Sequence, residues 1–376
     1  MNASIIVILI TVIYTTIIVL LIIGCYRLPR FRNKSTHPLS RFSIVVPFRN
    51  EAANIEHLLL SIERINYPRQ LFELILVDDE SSDNSEAIIQ NVLKKSTIDF
   101  KVIQNKPISR SPKKEAIQAA IQKSKYEWIL TTDADCQVPI DWLHDLDGFI
   151  QKTEVKMIAA PVTFNSPRSV FEGFQLMDFL SLQAATMGGF GIKNPFLCNG
   201  ANLAYTKELY HELHGFSGNL NIASGDDIFL LEKALKQDRT KVGYLKSRAA
   251  VVVTSPESKL SKLIQQRLRW ASKTTAYKNA FGKLLAIIVA LMNAMILIGF
   301  VLVLLNRLSF SVFISIFSLK VVIDFWLILK SAQLFDQKKS LIYYPISSIC
   351  YPIFAVFIAI YSMFSKYNWK GRSFSK

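Results

Sequence analysis

Trp128-Ile129-Leu130-Thr131-Thr132-Asp133-Ala134-Asp135-Cys136 joins an apolar half to an acidic half. Trp128, Ile129 and Leu130 predict the end of a buried strand, and Asp133 and Asp135 follow it one residue apart. In extended backbone, residues i and i+2 point to the same side. Two carboxylates so placed, past the C-terminal edge of a parallel strand, suit a divalent cation and the phosphates it carries. A solvated acidic loop is the plain alternative, and the D-x-D alone does not choose between them.

Toward the N-terminus, Phe42-Ser-Ile-Val-Val46 is a strand-like run ended by Pro47, and residues 48–62 carry Ile55, Leu58, Leu59 and Ile62 at helical spacing. Phe72–Val77 predicts a second buried strand leading into Asp78-Asp79-Glu80-Ser81-Ser82-Asp83, whose Ser and Asp residues suit the cap of a helix over about 84–95. Phe100–Ile103 is a weaker strand and Lys113–Gln122 a helix. This alternation, from 41 to about 255, predicts an α/β fold with a mostly parallel, Rossmann-like sheet. Right-handed crossovers then gather the strand ends at one edge, so Asp78, Asp79, Asp133 and Asp135 are expected around one crevice.

The flanks differ in kind. The 376 residues are 51% hydrophobic and 19% charged, with a mean hydropathy of +0.27, a mixture that suggests a soluble domain joined to membrane spans. Ser4–Gly24 is long and apolar enough to span, with no Lys or Arg before it and Arg27, Arg30, Arg32 and Lys34 after it. The positive-inside rule puts the chain beyond residue 26 in the cytoplasm, at a bacterial cell membrane. Ile22-Ile23-Gly24-Cys25 looks like a lipoprotein cleavage site, but its charge lies on the wrong side of the apolar run, so an anchor is expected. Three further runs, Leu284–Leu305, Phe310–Leu329 and Leu341–Phe364, are near bilayer length, and Lys320 and Asp324 in the middle one are spaced to pair. Counted as three spans, they export the tail with Lys366, Lys370, Arg372 and Lys376, against the rule; otherwise one run is re-entrant or interfacial. The expected domains are an anchor (1–26), a cytoplasmic domain (40–280), a C-terminal membrane region (284–364) and a basic tail (365–376). Residues 170–191 predict an amphipathic helix, either packed in a core or lying in the membrane interface.

The net charge of +15, from 44 Lys and Arg against 29 Asp and Glu, fits the membrane surface, since no nucleic-acid module accompanies it. Four dispersed cysteines lack zinc or disulfide spacing and fit a reducing compartment.

Four features stand in chain order: Pro47-Phe-Arg49-Asn-Glu51, the Asp78-Asp79 run, the D-x-D of Asp133 and Asp135, and Gly225-Asp226-Asp227 followed by Gln266-Arg267-Leu268-Arg269-Trp270. This order resembles the family 2 glycosyltransferases, in the membrane-bound branch of ceramide glucosyltransferase and the cellulose, chitin and hyaluronan synthases. The closing Q-x-x-R-W is complete here, and the resemblance covers about residues 40–275. It implies an inverting, metal-dependent transfer of a sugar from a nucleotide sugar, expected to be a UDP-sugar, to a lipid or polysaccharide acceptor. Asp133 and Asp135 would hold Mg²⁺ or Mn²⁺ against the leaving diphosphate. Asp78 and Asp79 would meet uracil and ribose, with Pro47, Arg49 and Glu51 bordering the nucleotide. Lys113 matches a lysine that touches the diphosphate, although Lys114 adjoins it. Asp227 matches the base on the acceptor hydroxyl. Asp226 stands where Glu is commoner, which leaves its role open. Arg269 would stabilise the diphosphate, Trp270 would floor the acceptor, and Gln266 would orient one of them. Asn199-Gly-Ala-Asn202 resembles an acceptor-side loop, though as bare sequence it is a turn.

Three C-terminal runs look thin for a polysaccharide channel, so a lipid acceptor is favoured over a processive synthase. A metal-dependent nucleotidyl- or phosphotransferase is the other enzyme class that paired aspartates serve, and the chain has no G-x-x-x-x-G-K-[ST] loop. The non-enzyme alternative is a transporter or a membrane-anchored binding module; few spans and one intramembrane charge pair argue against transport, and loss of transfer with retained nucleotide binding in Asp227→Asn would exclude a pure binding role.

Overall fold

The computed structural model describes residues 3–33, 37–274, 277–365, 367–370 and 372–374. Lys34, Lys366 and Lys376, named above among the basic flanks, lie outside the described residues. In chain order the elements are α1 (Ala3–Arg27), β1 (Phe42–Phe48), α2 (Ile55–Glu63), β2 (Phe72–Asp78), α3 (Ser85–Leu93), β3 (Asp99–Gln104), α4 (Pro112–Lys123) and β4 (Trp128–Thr131). Then come β5 (Cys136–Gln137), α5 (Trp142–Lys152), β6 (Met157–Ala159), β7 (Val162–Phe164), α6 (Val170–Gly191), β8 (Leu203–Thr206), α7 (Lys207–Glu212) and α8 (Asp226–Gln237). The remainder is β9 (Val242–Tyr244), β10 (Val252–Thr254), α9 (Leu260–Thr274), α10 (Ala280–Leu304), α11 (Phe310–Leu334), α12 (Tyr344–Phe364), β11 (Tyr367–Trp369) and β12 (Arg372–Phe374).

The chain forms two compact units, each discontinuous in sequence. One is the α/β unit, residues 29–165 and 198–255. Its main sheet runs β3-β2-β1-β4-β8-β6-β9, and a smaller sheet runs β5-β10-β7. β1, β2, β3 and β4 are parallel, while β8 is antiparallel to both β4 and β6. The run of apolar residues in β1 and β2 is buried on both faces, as a strand covered by helices on each side requires. The expected mostly parallel α/β architecture is present, with β8 the one reversed strand among the seven of the main sheet.

Pro47 does not end β1. The strand continues to Phe48, with Pro47 in register with Val77. The β1–β4 ladder stops at Val45↔Thr131, so at Pro47 no neighbour awaits the N–H that proline lacks. The helical pattern after it is likewise shorter than its spacing suggests: α2 begins at Ile55, after a turn at Asn50 (φ 52°), and buries Ile55, Leu58, Leu59 and Ile62.

The helical unit comprises residues 1–28, 166–197 and 256–376. The expected 40–280 domain is thus divided, since α6 and α9 group with the apolar helices. Four helices, Ile5–Arg27, Ala280–Leu304, Phe310–Leu334 and Lys338–Phe364, are long and apolar enough to cross a membrane by length and composition. Among the two readings of 170–191, the structure supports the packed one: α6 buries Leu176, Met177, Phe179, Leu180 and Ala184, and also Gln175, Asp178 and Gln183. Ser169 caps it by accepting from Glu172 N at 3.2 Å, and the Glu172 carboxylate accepts from Arg168 N at 2.7 Å. Glycines let α6 meet α1 backbone to backbone. A Cβ on Gly188 would stand 2.5 Å from Leu21 O, and one on Gly24 would stand 2.1 Å from Gly188 O. Beside them the buried Cys25 thiol donates to Ala184 O at 3.2 Å. The lipoprotein-like Ile22–Cys25 stretch is therefore the interior of a packed helix.

Candidate active site

The α/β unit gathers its carboxylates where the parallel strands end. After β2, Asp78 accepts from Ser81 N, three residues on, at 2.8 Å, which holds a turn that passes through Glu80 at φ 58°. Asp79 is buried and accepts from Asn105 Nδ2 at 2.9 Å. Arg49, past the end of β1, donates to Asp79 O at 2.5 Å and to Glu80 O at 2.8 Å. Glu51 N donates to Ser85 Oγ at 2.8 Å, Asn54 Nδ2 donates to the Glu51 carboxylate at 2.7 Å, and Asp83 accepts from Ala52 N at 2.9 Å. These bonds tie the two loops that follow β1 and β2 into one wall. The Asp83 carboxyl lies below its ordinary value: its slight burial works the other way, but the Ser85 hydroxyl and the Ala52 and Ser85 amides favour its charge.

A second group forms around Lys113, in the first turn of α4. Its Nζ lies 2.8 Å from Asp133 Oδ1 and 3.3 Å from Asp226 Oδ2. Burial alone would lower the lysine pKa; Asp133 and Asp226 outweigh it and raise the value above the ordinary range. Asp226 is buried at the start of α8, directly after Gly225 at φ 87°. Asp227 accepts from Gly200 N at 3.2 Å through Oδ2 and from Ile228 N at 2.8 Å through Oδ1. Both aspartates sit in the first turn of α8, where the helix dipole favours negative charge. The Gly200 turn is itself fixed, because Thr131 Oγ1 donates to Gly200 O at 2.7 Å and the buried Asn202 donates to Pro161 O and Ala250 O, each at 2.8 Å. A side chain at Gly200 would force the Asp226 carboxylate to shift, since its Cβ would lie 2.9 Å from Asp226 Oδ2. Lys113, Asp133, Asp226, Asp227 and Gly200 thus form one cluster assembled from four distant stretches of chain.

The extended geometry expected for Asp133 and Asp135 is not what forms. Residues 132–135 leave the sheet, and Cys136 N donates to Asp133 O at 3.1 Å to close a turn. The cause is local: β4 ends at Thr131, and the chain must reverse within a few residues to enter β5. Asp133 is half-buried on Lys113, and Asp135 is exposed with its carboxylate 3.8 Å from Cys136 Sγ. Burial pushes the Cys136 thiol up, and Asp135 and Asp133 add to that.

Sequence reasoning missed Asn105, Gly200 as a close-approach glycine, and Lys114. Lys114 does not share its neighbour's company: it is fully buried, donates to Asn219 O at 2.7 Å and Ile222 O at 2.8 Å, and lies 4.9 Å from the Phe229 ring centroid. It tethers the loop that delivers Asp226 and Asp227.

Gln266, Arg269 and Trp270 belong to the helical unit, on α9. There Gln266 donates to Glu257 Oε1 at 3.2 Å, Arg267 Nε donates to Asp178 Oδ2 of α6 at 2.7 Å, and the Arg267 guanidinium lies 4.2 Å from the Trp270 ring centroid. Arg269 and Trp270 are half-buried.

Residues 43–213 match the profile of the family described as Glycosyl transferase family 2. The match covers 171 of the 376 residues, in the α/β unit and in the α6 segment (166–197) that interrupts it. The chain is 30% identical over 114 residues to poly(ribitol-phosphate) beta-N-acetylglucosaminyltransferase TarS of Staphylococcus aureus, covering 30% of this chain and 19% of that protein. It is 34% identical over 105 residues to undecaprenyl-phosphate 4-deoxy-4-formamido-L-arabinose transferase of Pseudomonas savastanoi, covering 27% of this chain and 30% of that protein. The chain therefore aligns with less than a third of the length of either relative. A mannosyltransferase from Pyrobaculum calidifontis, solved with GDP-Man and Mn²⁺, superimposes with a TM-score of 0.56 at 16% identity over 91% of this chain and 97% of that one. The α/β unit has the GT-A fold.

Whether the α/β unit suits a divalent cation is tested by its donors. Asp133 and Asp135 offer hard oxygen ligands reachable from solvent. Among the described residues no group of three or more His, Cys, Asp or Glu side chains is placed to hold a metal ion. Mg²⁺ and Mn²⁺ at nucleotide sites take one or two carboxylates and complete their shell with phosphates and water, so a two-carboxylate turn fits.

Proposed function

We propose that the chain is an inverting, metal-dependent glycosyltransferase that moves a sugar from a nucleotide sugar, a UDP-sugar in the branch it resembles, to a membrane lipid or lipid-linked acceptor at the cytoplasmic face. The observation that carries this reading is the Lys113 cluster, in which Asp226 and Asp227 converge on Lys113 and Asp133, the latter two lying inside the stretch 43–213 matched by the family 2 profile. Four bilayer-length helices, and a relative named for an undecaprenyl-phosphate substrate, favour a lipid acceptor.

In this reading the wall built from Arg49, Glu51, Asp78 and Asp79 receives the nucleoside, with Pro47 beneath it. Asp133 and Asp135 would hold Mg²⁺ or Mn²⁺, which would supply positive charge for a departing diphosphate. Lys113 keeps a positive charge between Asp133 and Asp226 and orients both. Asp226, left without a role by the sequence, serves by fixing Lys113. Asp227, held by two backbone amides, accepts the proton of the acceptor hydroxyl as that oxygen attacks the anomeric carbon from the side opposite the leaving group. The roles of Gln266, Arg269 and Trp270 rest on the motif alone.

The test is to incubate membranes containing the protein with a panel of labelled nucleotide sugars. One donor should give an organic-extractable product and free nucleoside diphosphate, and a chelator should abolish both. Release of pyrophosphate would instead assign the chain to nucleotidyl transfer and end this reading.

A further inference from the structure

The helical unit encloses a cavity of about 630 Å³, walled by α1, α6, α10, α11 and α12. Its volume falls within the roughly 300–1,000 Å³ typical of small-molecule sites. Most of the wall is apolar, including Ile18, Leu21, Phe174, Met177 and Leu327. Four ionisable side chains of ordinary charge also line it: Asp178, Lys283, Lys320 and Asp324. Ionisable groups among bilayer-length helices are costly and mark functional sites.

Three of these charges have partners. Lys320 Nζ lies 2.7 Å from Asp324 Oδ2, and the Tyr14 hydroxyl donates to Asp324 Oδ1 at 2.6 Å. Asp178 is met by Arg267 Nε at 2.7 Å. Lys283 is exposed. The Lys320 side chain is only 4% exposed, and among the described residues its one hydrogen-bond acceptor is Asp324. The rings of Tyr14 and Tyr351 also lie near its ammonium, with centroids 5.7 and 5.8 Å away. An ammonium carries three donors, so Lys320 retains capacity to donate to an incoming oxygen. A phosphate at Lys320 would bring an anion to a buried lysine whose charge Asp324 already balances, whereas the cavity's other lysine, Lys283, is exposed and already solvated. A hydroxyl brings no charge.

We infer that this cavity binds a neutral membrane lipid bearing a hydroxyl group, with the apolar chain along the α1, α6 and α11 wall and the hydroxyl oxygen accepting from Lys320. This assignment concerns binding and stands apart from whether that lipid receives a sugar.

Purified full-length protein in detergent would be titrated with 1,2-dioleoylglycerol and with its 3-deoxy analogue, 1,2-dioleoyloxypropane, which lacks the accepting oxygen, complexes being read by native mass spectrometry. The free hydroxyl should improve affinity about tenfold, the scale of one buried hydrogen bond. The double variant Lys320→Met/Asp324→Leu keeps the volume and removes the polar end, so it should bind both probes equally. Ala185→Phe, which intrudes on the wall from α6, should weaken both probes about tenfold. If that variant does not fold, the double variant carries the test. Equal affinity of the wild type for the two probes, or tighter binding of dioleoyl phosphatidic acid than of dioleoylglycerol, would overturn the inference. Normal lipid binding with no sugar transfer from any donor would instead sink the proposed function and leave the cavity assignment intact.

Discussion

Lys113 shows how much chemistry turns on one side chain. Its ammonium separates two carboxylates, one of them buried, that would otherwise repel each other. Lys113→Met should therefore lower stability by about 1–3 kcal/mol at neutral pH, measured by thermal unfolding. The sign of the pH dependence follows from a folded-state pKa raised above the ordinary 10.5. The stabilisation is fully present below that value and fades only as pH rises through the higher folded value, so the deficit of the variant should stay constant from pH 6 to 9. A deficit that changed across that range would mean that another group couples the cluster. At the same scale, Gly200→Ala sets a methyl group against Asp226 Oδ2, and sugar transfer should fall at least tenfold with the fold retained on circular dichroism. The residue types of this cluster were legible, because aspartates at strand ends suit phosphate chemistry. What separates Lys113 from Lys114 was not. That depends on the loop at Asn219 and Ile222, more than 100 positions away, which no local pattern announces.

Elements were readable where burial imposes a period. β1, β2, β4 and α6 were found because their apolar residues repeat as strand or helix demands, and β8 was not singled out as the reversed strand because antiparallel and parallel partners leave the same short apolar run. Partner choice between helices was also invisible. The α1–α6 crossing depends on Gly24, Gly188 and Gly191, which read as ordinary glycines until the backbones meet. Gly188→Ala should lower the unfolding temperature in detergent, at a cost of about 1–3 kcal/mol, because its Cβ meets backbone that cannot rotate away. Gly218→Ala is the control for composition: nothing lies within 4 Å of that site, though its φ of 82° imposes a local strain confined to a loop. A loss at position 188 no larger than at 218 would argue against the close crossing.

At the scale of the whole molecule, the sequence pattern conveyed an α/β body and four bilayer-length helices, while the division of the chain between units was hidden. Contacts, not composition, assign residues 166–197 and 256–274 to the helical unit. Function is best separated at this scale too. Asp135→Ala should weaken Mn²⁺-dependent binding of a nucleoside diphosphate about tenfold or more, whereas Asp227→Asn should abolish transfer and leave that binding intact, both measured by calorimetry alongside a transfer assay. Loss of binding in Asp227→Asn would remove it from the role of base.

The detour of the chain through α6 has a consequence for biosynthesis. β8 lies between β4 and β6 in the main sheet, yet it is made only after the ribosome has finished α6. A nascent chain halted where α6 has cleared the ribosome and β8 has not holds both flanking strands with an open seam between them, while α1 already has its glycine-matched partner. Arrested translation products should therefore acquire protease resistance in the helix pair before the sheet, an order opposite to that of a domain made from one continuous stretch.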